Sequence, residues 1–123
     1  MKIFILEDYE ERTHWFSSVF VQDEMVLCNQ AGPALEILRA VRFDIILLDH
    51  DLCGGAFVPS EHPNTGFAVV SALPSTLNHD TPVVVHSLNA DGADRMMEAL
   101  GPRGHRMPFG EMSREELLRI AIG

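Results

Sequence analysis

Short apolar runs alternate along this chain with stretches in which apolar residues recur every three or four positions. The first run, KIFIL at residues 2 to 6, precedes a helical stretch over roughly Tyr9 to Phe20, where Trp15, Phe16, Val19 and Phe20 form an inward stripe. EMVLC at 24 to 28 reads as a second strand. A helix is expected from about Pro33 to Arg42, with proline suited to its first turn and Leu35, Ile37, Leu38 and Val41 available for packing. The third strand lies in FDIILLDHDLCGG, residues 43 to 55. Its run from Ile45 to Leu48 shows no polar alternation, the pattern of a central parallel strand covered on both faces. After a long polar loop, a helix begins near Thr65-Gly66 and carries Phe67, Val69, Val70 and Leu73 until Pro74 discourages continuation. PVVVHS at 82 to 87 is the fourth strand, Ala90 to Leu100 the next helix, and HRMPF at 105 to 109 a weak fifth strand. The last helix starts from Ser113, which with Glu116 forms a capping box. This alternation predicts an α/β fold, a three-layer, doubly wound, five-stranded parallel sheet.

Composition narrows the picture. At 123 residues the chain is expected to form one domain, residues 1 to 123. No apolar run approaches the ~18 to 20 residues of a membrane helix, and MKIFILEDYEER does not read as a signal peptide, so a cytoplasmic setting is expected. Cys28 and Cys53 make no CxxC pattern, and reduced thiols follow. A net charge of -9 argues against an extended nucleic-acid surface. A short RNA end held through a metal and a few arginines stays compatible with it.

Polar chemistry on such a sheet has the carboxyl ends of the strands to occupy. If strands one, three and four are neighbours, Glu7-Asp8, Asp49-His50-Asp51 and His86-Ser87 meet at one edge. A carboxylate such as Asp49, closing a four-residue apolar run, is costly to bury without a partner. Carboxylates so gathered raise one another's pKa unless a cation sits among them, and oxygen-rich sites select magnesium or manganese. The imidazoles leave room for zinc. Strict alternation turns His86 away from Ser87. Asp8 with Glu11 also fits a plain helix cap, and Asn64-Thr65-Gly66 fits a helix-entry turn.

The layout resembles a response-regulator receiver domain of the flavodoxin-like fold over the whole chain, with Glu7-Asp8 after strand one, Asp49 after strand three and Ser87 after strand four. The resemblance implies magnesium at the acidic pair and Asp49, phosphoryl transfer to Asp49, and sensing by Ser87. In that family a lysine ends strand five. Here Met107 occupies its position, Lys2 is the only lysine, and Arg106 is the neighbouring candidate cation. ILED, LDHDL, PNTG and VVVHSLN, with the lengthened loop after Asp49, resemble the branch called the cyclic-phosphate-processing receiver domain. That resemblance implies work on RNA ends carrying a 2′,3′-cyclic phosphate, as in RNA repair.

On this reading a divalent metal is held by Glu7, Asp8, Asp49 and Asp51. The candidate catalytic residues are Asp49, His50, His86 and Ser87, with His50 or His86 protonating the leaving ribose oxygen. His62, Asn64, Thr65 and Arg106 are the substrate-binding candidates, and Gly54 and Gly55 would let the loop close. A metal-dependent phosphoesterase is one outcome. The other is a non-catalytic receiver that binds metal, takes a phosphoryl group on Asp49 and docks on a protein partner. A haloacid-dehalogenase-type phosphatase fails because its DxD belongs on the first strand. Two-histidine phosphodiesterases need two HxT or HxS motifs, and only His79-Asp80-Thr81 is present. Oligomeric state is not legible.

Overall fold

The computed structural model describes residues 1–52 and 57–123. Its order is β1 (Lys2–Leu6), α1 (Glu10–Val19), β2 (Glu24–Cys28), α2 (Ala31–Ala40), β3 (Ile45–Leu48), α3 (Gly66–Ala72), β4 (Val83–Val85), α4 (Ala90–Leu100), β5 (Gly104–Arg106) and α5 (Arg114–Ile122). All strands are parallel in the order β2-β1-β3-β4-β5. The expected α/β class and the adjacency of strands one, three and four are observed. Among the described residues no helix is long and apolar enough to cross a membrane.

Side-chain alternation divides the sheet into two buried faces. Phe4, Leu6, Ile46, Leu48, Val83 and Val85 pack against α2, α3 and α4 through Leu38, Val69 and Met96. Ile3, Ile5, Ile45, Leu47 and Val84 face α1 and α5 through Phe16, Phe20 and Leu117. With both faces covered, β1, β3 and β4 have no water-facing side, which is why their sequences carry continuous apolar residues.

The ends of the elements depart from expectation where a distant residue intervenes. The second helix starts at Ala31 rather than Pro33, because the Ala31 N–H donates to Asn64 Oδ1 at 2.8 Å, a cap supplied from the loop before α3. It ends at Ala40, where Val41 turns extended. At α1, Tyr9 and not Asp8 is the N-cap, and no side chain caps it. Thr65, Asn89 and Ser113 cap α3, α4 and α5 by accepting from Ala68, Gly92 and Glu116 N–H. The fifth strand is shorter than expected, closing at Arg106, and a single helical turn follows at Phe109–Glu111.

Asn78 ties the end of α2 to the start of β3. Fully buried, it donates to the Leu38 and Val41 carbonyls at 2.8 and 2.7 Å and accepts from Phe43 N–H at 2.8 Å and the Thr81 hydroxyl at 3.0 Å. Asn78→Ala strands those backbone groups and is expected to cost about 3 kcal/mol in denaturant unfolding. A loss under about 1 kcal/mol would mean that water replaces the amide there.

Candidate functional site

The register of the sheet builds the site one residue beyond each strand. Leu6 pairs with Leu48 and Leu48 with Val85, so the next residues, Glu7, Asp49 and His86, fall side by side. Backbone bonds carry the ladder one step further, from Asp49 N–H to Leu6 O at 3.0 Å and from His86 N–H to Leu48 O at 3.1 Å. These three share the alternation of Ile5, Leu47 and Val84, so they face α1 and α5. Met107, whose N–H donates to Val85 O at 3.0 Å, continues the row and packs on that same face.

Glu7 is fully buried and fixed from four directions. Its Oε1 accepts from His86 Nε2 at 3.0 Å and from Arg12 Nη1 at 3.5 Å, and its Oε2 from the N–H groups of Asp8 and Tyr9 at 3.1 and 3.2 Å. Asp49, only 7% exposed, accepts from its neighbour His50 N–H at 2.8 Å and lies beside Glu7 and Ser87. Burial pushes the Asp49 carboxyl up, and the neighbouring Glu7 charge adds to this, bringing it to about 8. Burial also opposes the charge on Glu7, but the bond and charge of His86 and the Tyr9 N–H outweigh it and hold Glu7 below the usual carboxylate range. The pair therefore keeps one proton at neutral pH, and that proton is on Asp49. The buried Nδ1 of His86 has no partner among the described residues.

Glu7, Asp49 and His86 each offer a ligand atom, and these atoms lie within 4.8 Å of one another. Two carboxylates and an imidazole form a mixed oxygen and nitrogen donor set, within the range that manganese or zinc accepts. A divalent cation would replace the shared proton and let both acids ionise, so the residues present fit such an ion. Asp8 borders the group and lines a cleft of about 400 Å³ with Glu7, Glu10, Thr13, Cys28 and Asn29.

Several expected members lie elsewhere. Asp51 is not in the acidic group: its carboxylate accepts from Asn89 Nδ2 at 3.0 Å and from Phe57 and Val58 N–H at 2.7 and 3.2 Å, and meets His50 Nδ1 at 2.8 Å. Burial opposes its charge, yet these bonds hold it below the usual range. Its role here is to pin the loop, because the chain leaves the strand after Leu48 and Asp51 instead bridges Thr65. His50 is fully buried on the opposite face, its Nε2 hydrogen-bonded with the Ser60 hydroxyl at 2.9 Å and its ring against Gly92 of α4. Both ring nitrogens are thus engaged away from Glu7 and Asp49.

Arg106 also faces the α4 side and pairs with Asp94 at 3.2 Å, so it does not stand in for a cation at the row. The alternation that brings Met107 to the row turns its neighbour away. His62 is exposed and accepts from Asn64 N–H at 3.1 Å, while Thr65 caps α3 and donates to His62 O at 3.0 Å. Cys53, Gly54 and Gly55 lie outside the described residues. Arg12, which meets Glu7 from α1, escaped the sequence reading. Its signal was a cation in the first turn of a helix that starts just past the acidic pair.

Residues 1–101 match the family described as the cyclic-phosphate processing receiver domain. This chain belongs to that family. No curated protein matches it in sequence. Several solved structures similar to this chain are receiver domains or response regulators. The receiver domain of a sensor histidine kinase from Pseudomonas aeruginosa PAO1, with magnesium in its active-site cleft, superposes with a TM-score of 0.72 at 20% identity, covering 98% of this chain and 93% of that one. A phosphorylated cyanobacterial phytochrome response regulator gives 0.69 at 23% identity, with coverage of 98% and 87%. A receiver domain from a Francisella response regulator gives 0.70 at 15%, with 98% and 93%. At these identities the likeness concerns the fold, the flavodoxin-like sheet that the strand order also gives.

Proposed function

We propose that this receiver domain binds a divalent cation, magnesium or manganese with zinc as the alternative, at Glu7 and Asp49 with Asp8 at the rim. We further propose that it opens a phosphoester there, the substrate class being a 2′,3′-cyclic phosphate at an RNA end. The observation that carries this reading is the row of Glu7, Asp49 and His86, two buried acids sharing one proton beside an imidazole. When bound, the cation would supply charge neutralisation at the phosphoryl oxygens and a more acidic water. Water adds at phosphorus and gives up a proton, one of the two ring P–O bonds breaks, and the leaving ribose oxygen takes up a proton, so that the ring opens with net addition of one water.

In this chain Glu7 orients His86 through Nε2, and His86 is the histidine that borders the acids, so it is assigned the proton transfer. Ser87, beside Asp49, favours its ionised form. The cleft beside Glu7 and Asp8 offers room for a nucleotide. Tyr9 and Phe57, both exposed on loops at this edge, offer rings to an RNA base.

The test is incubation of metal-loaded protein with a 2′,3′-cyclic nucleotide and with a short RNA bearing that end, alongside Asp49→Asn and His86→Gln. Ring opening that needs metal and falls at least about 100-fold in both variants supports the reading. Intact metal binding without turnover for magnesium, manganese and zinc returns the domain to a non-catalytic receiver. In that case a mass gain of about 80 Da on Asp49 from a small phosphodonor is the next observation to seek.

A further inference from the structure

Arg12 is held in an unusual way for a cation beside a buried acid. The protein shows what a committed pair looks like at Asp23, which takes Arg114 through two bonds of 2.8 and 2.9 Å. Arg12 reaches Glu7 through one contact of 3.5 Å, because Glu7 Oε1 is already bound by His86 and Oε2 by two backbone N–H groups. What holds the guanidinium is aromatic instead. Its centre lies 5.0 Å from the Phe109 ring and 5.8 Å from the Tyr9 ring, and the side chain is 13% exposed. Phe109 is itself wedged against Trp15 at 5.0 Å and Phe16 at 5.6 Å, so the platform is rigid.

A guanidinium carries five N–H donors in a planar fork. Apart from the Glu7 contact, those of Arg12 have no hydrogen-bond partner among the described residues, and none of the unpartnered ones is buried. A cation so placed, partly desolvated by two rings and with its fork unspent, is prepared for an anion with several oxygens.

We infer that Arg12 binds the non-bridging oxygens of a phosphoryl group presented at the Glu7–Asp49–His86 row, from the side closed by Phe109. This rests on reading the row as a phosphoester site, and it names the side chain that recognises the phosphate. Lysine in its place keeps the charge but loses the fork and the stacking, so it restores binding only in part.

The experiment titrates inorganic phosphate into wild type, Arg12→Gln, Arg12→Lys and Tyr9→Leu, with and without magnesium, by calorimetry. Fluorescence of Trp15, the only tryptophan and in contact with Phe109, provides a second signal. Magnesium affinity and the urea midpoint are measured on the same samples. Arg12→Gln is expected to weaken phosphate at least about tenfold with magnesium affinity unchanged or higher, Arg12→Lys to fall between, and Tyr9→Leu to lose about threefold. Phosphate affinity within twofold of wild type in Arg12→Gln overturns the inference, as does a wild type that binds no phosphate under either condition. If Arg12→Gln does not fold, Tyr9→Leu decides. Phosphate binding that depends on Arg12 in a protein that neither holds magnesium nor turns over substrate would remove the metal-dependent reading and leave the anion site standing.

Discussion

Replacing Asp49 with asparagine stabilises the metal-free domain at pH 8 and removes the decline in stability that the wild type shows as pH rises. The Asp49 carboxyl, near 3.8 in an unfolded chain, sits at about 8 in the fold. A raised folded pKa means that its contribution is fully present below the unfolded value and is lost as pH climbs through the folded one. Between about pH 4 and pH 8 the unfolded chain has released this proton and the folded one has not, so unfolding becomes easier with each step. Glu7 has the opposite sign. Its depressed value gives stability that is present above its ordinary 4.5 and is lost as pH falls below that range, so the two effects occupy separate windows.

Asparagine has no proton to lose, and its amide can still donate to Glu7. Urea unfolding at pH 5, 7 and 8 without metal is expected to give Asp49→Asn an advantage on the order of 2–4 kcal/mol at pH 8 and little at pH 5. With magnesium added the ranking inverts, since the wild type gains from binding and the variant does not. A wild type with a flat profile between pH 5 and 8 would show that Glu7 and Asp49 do not share a proton.

Gly66→Ala is the other change with a large expected effect, although the residue carries no chemistry. Gly66 opens α3, and its N–H donates to His50 O at 2.9 Å, holding the helix against the turn that follows β3. A Cβ there would run into the Asp49 backbone carbonyl oxygen, and it would come within 2.9 Å of Met96 Cε. The methionine end can swing aside; the carbonyl belongs to the residue that positions the acidic pair and cannot. The expected cost is about 3 kcal/mol or more, read from the urea midpoint, with a loss of magnesium affinity of at least about tenfold as Asp49 shifts. Gly32→Ala is the control, because nothing lies within 4 Å of its added methyl and alanine favours the helix. Equal midpoints for the two variants would mean that α3 moves away from β3 at little cost.

Much of this architecture was legible in the chain. Apolar runs placed β1 to β4, while β5, Gly104–Arg106, carries none and was located only roughly, and the fully apolar Ile45 to Leu48 correctly marked the centre of the sheet. Cap residues such as Ser113 and Thr65 act on their own helices within a few residues, so local chemistry sufficed to find them. The start of α2 was misplaced because its cap comes from Asn64, 33 residues away, and no local window contains that information.

The candidate site divides along the same line. That acids and histidines gather at one edge followed from where the apolar runs stop. Which of them meet was decided by register and by where each strand ends. Alternation holds only while neighbouring strands keep the backbone extended. Glu7, Asp49 and His86 stay under that rule for one step past the ladder and converge; Asp51, of the same parity as Asp49, has left it and turns back to pin the loop. Arg12 comes to the row from a helix whose rotation is set by Phe16 and Phe20 packing on the sheet. The sequence determined by itself the layers, the strands and the kinds of group at their ends, because those depend on short-range patterns. Only the tertiary structure decided the partners, because parallel pairing and helix packing bring together residues that no local pattern relates.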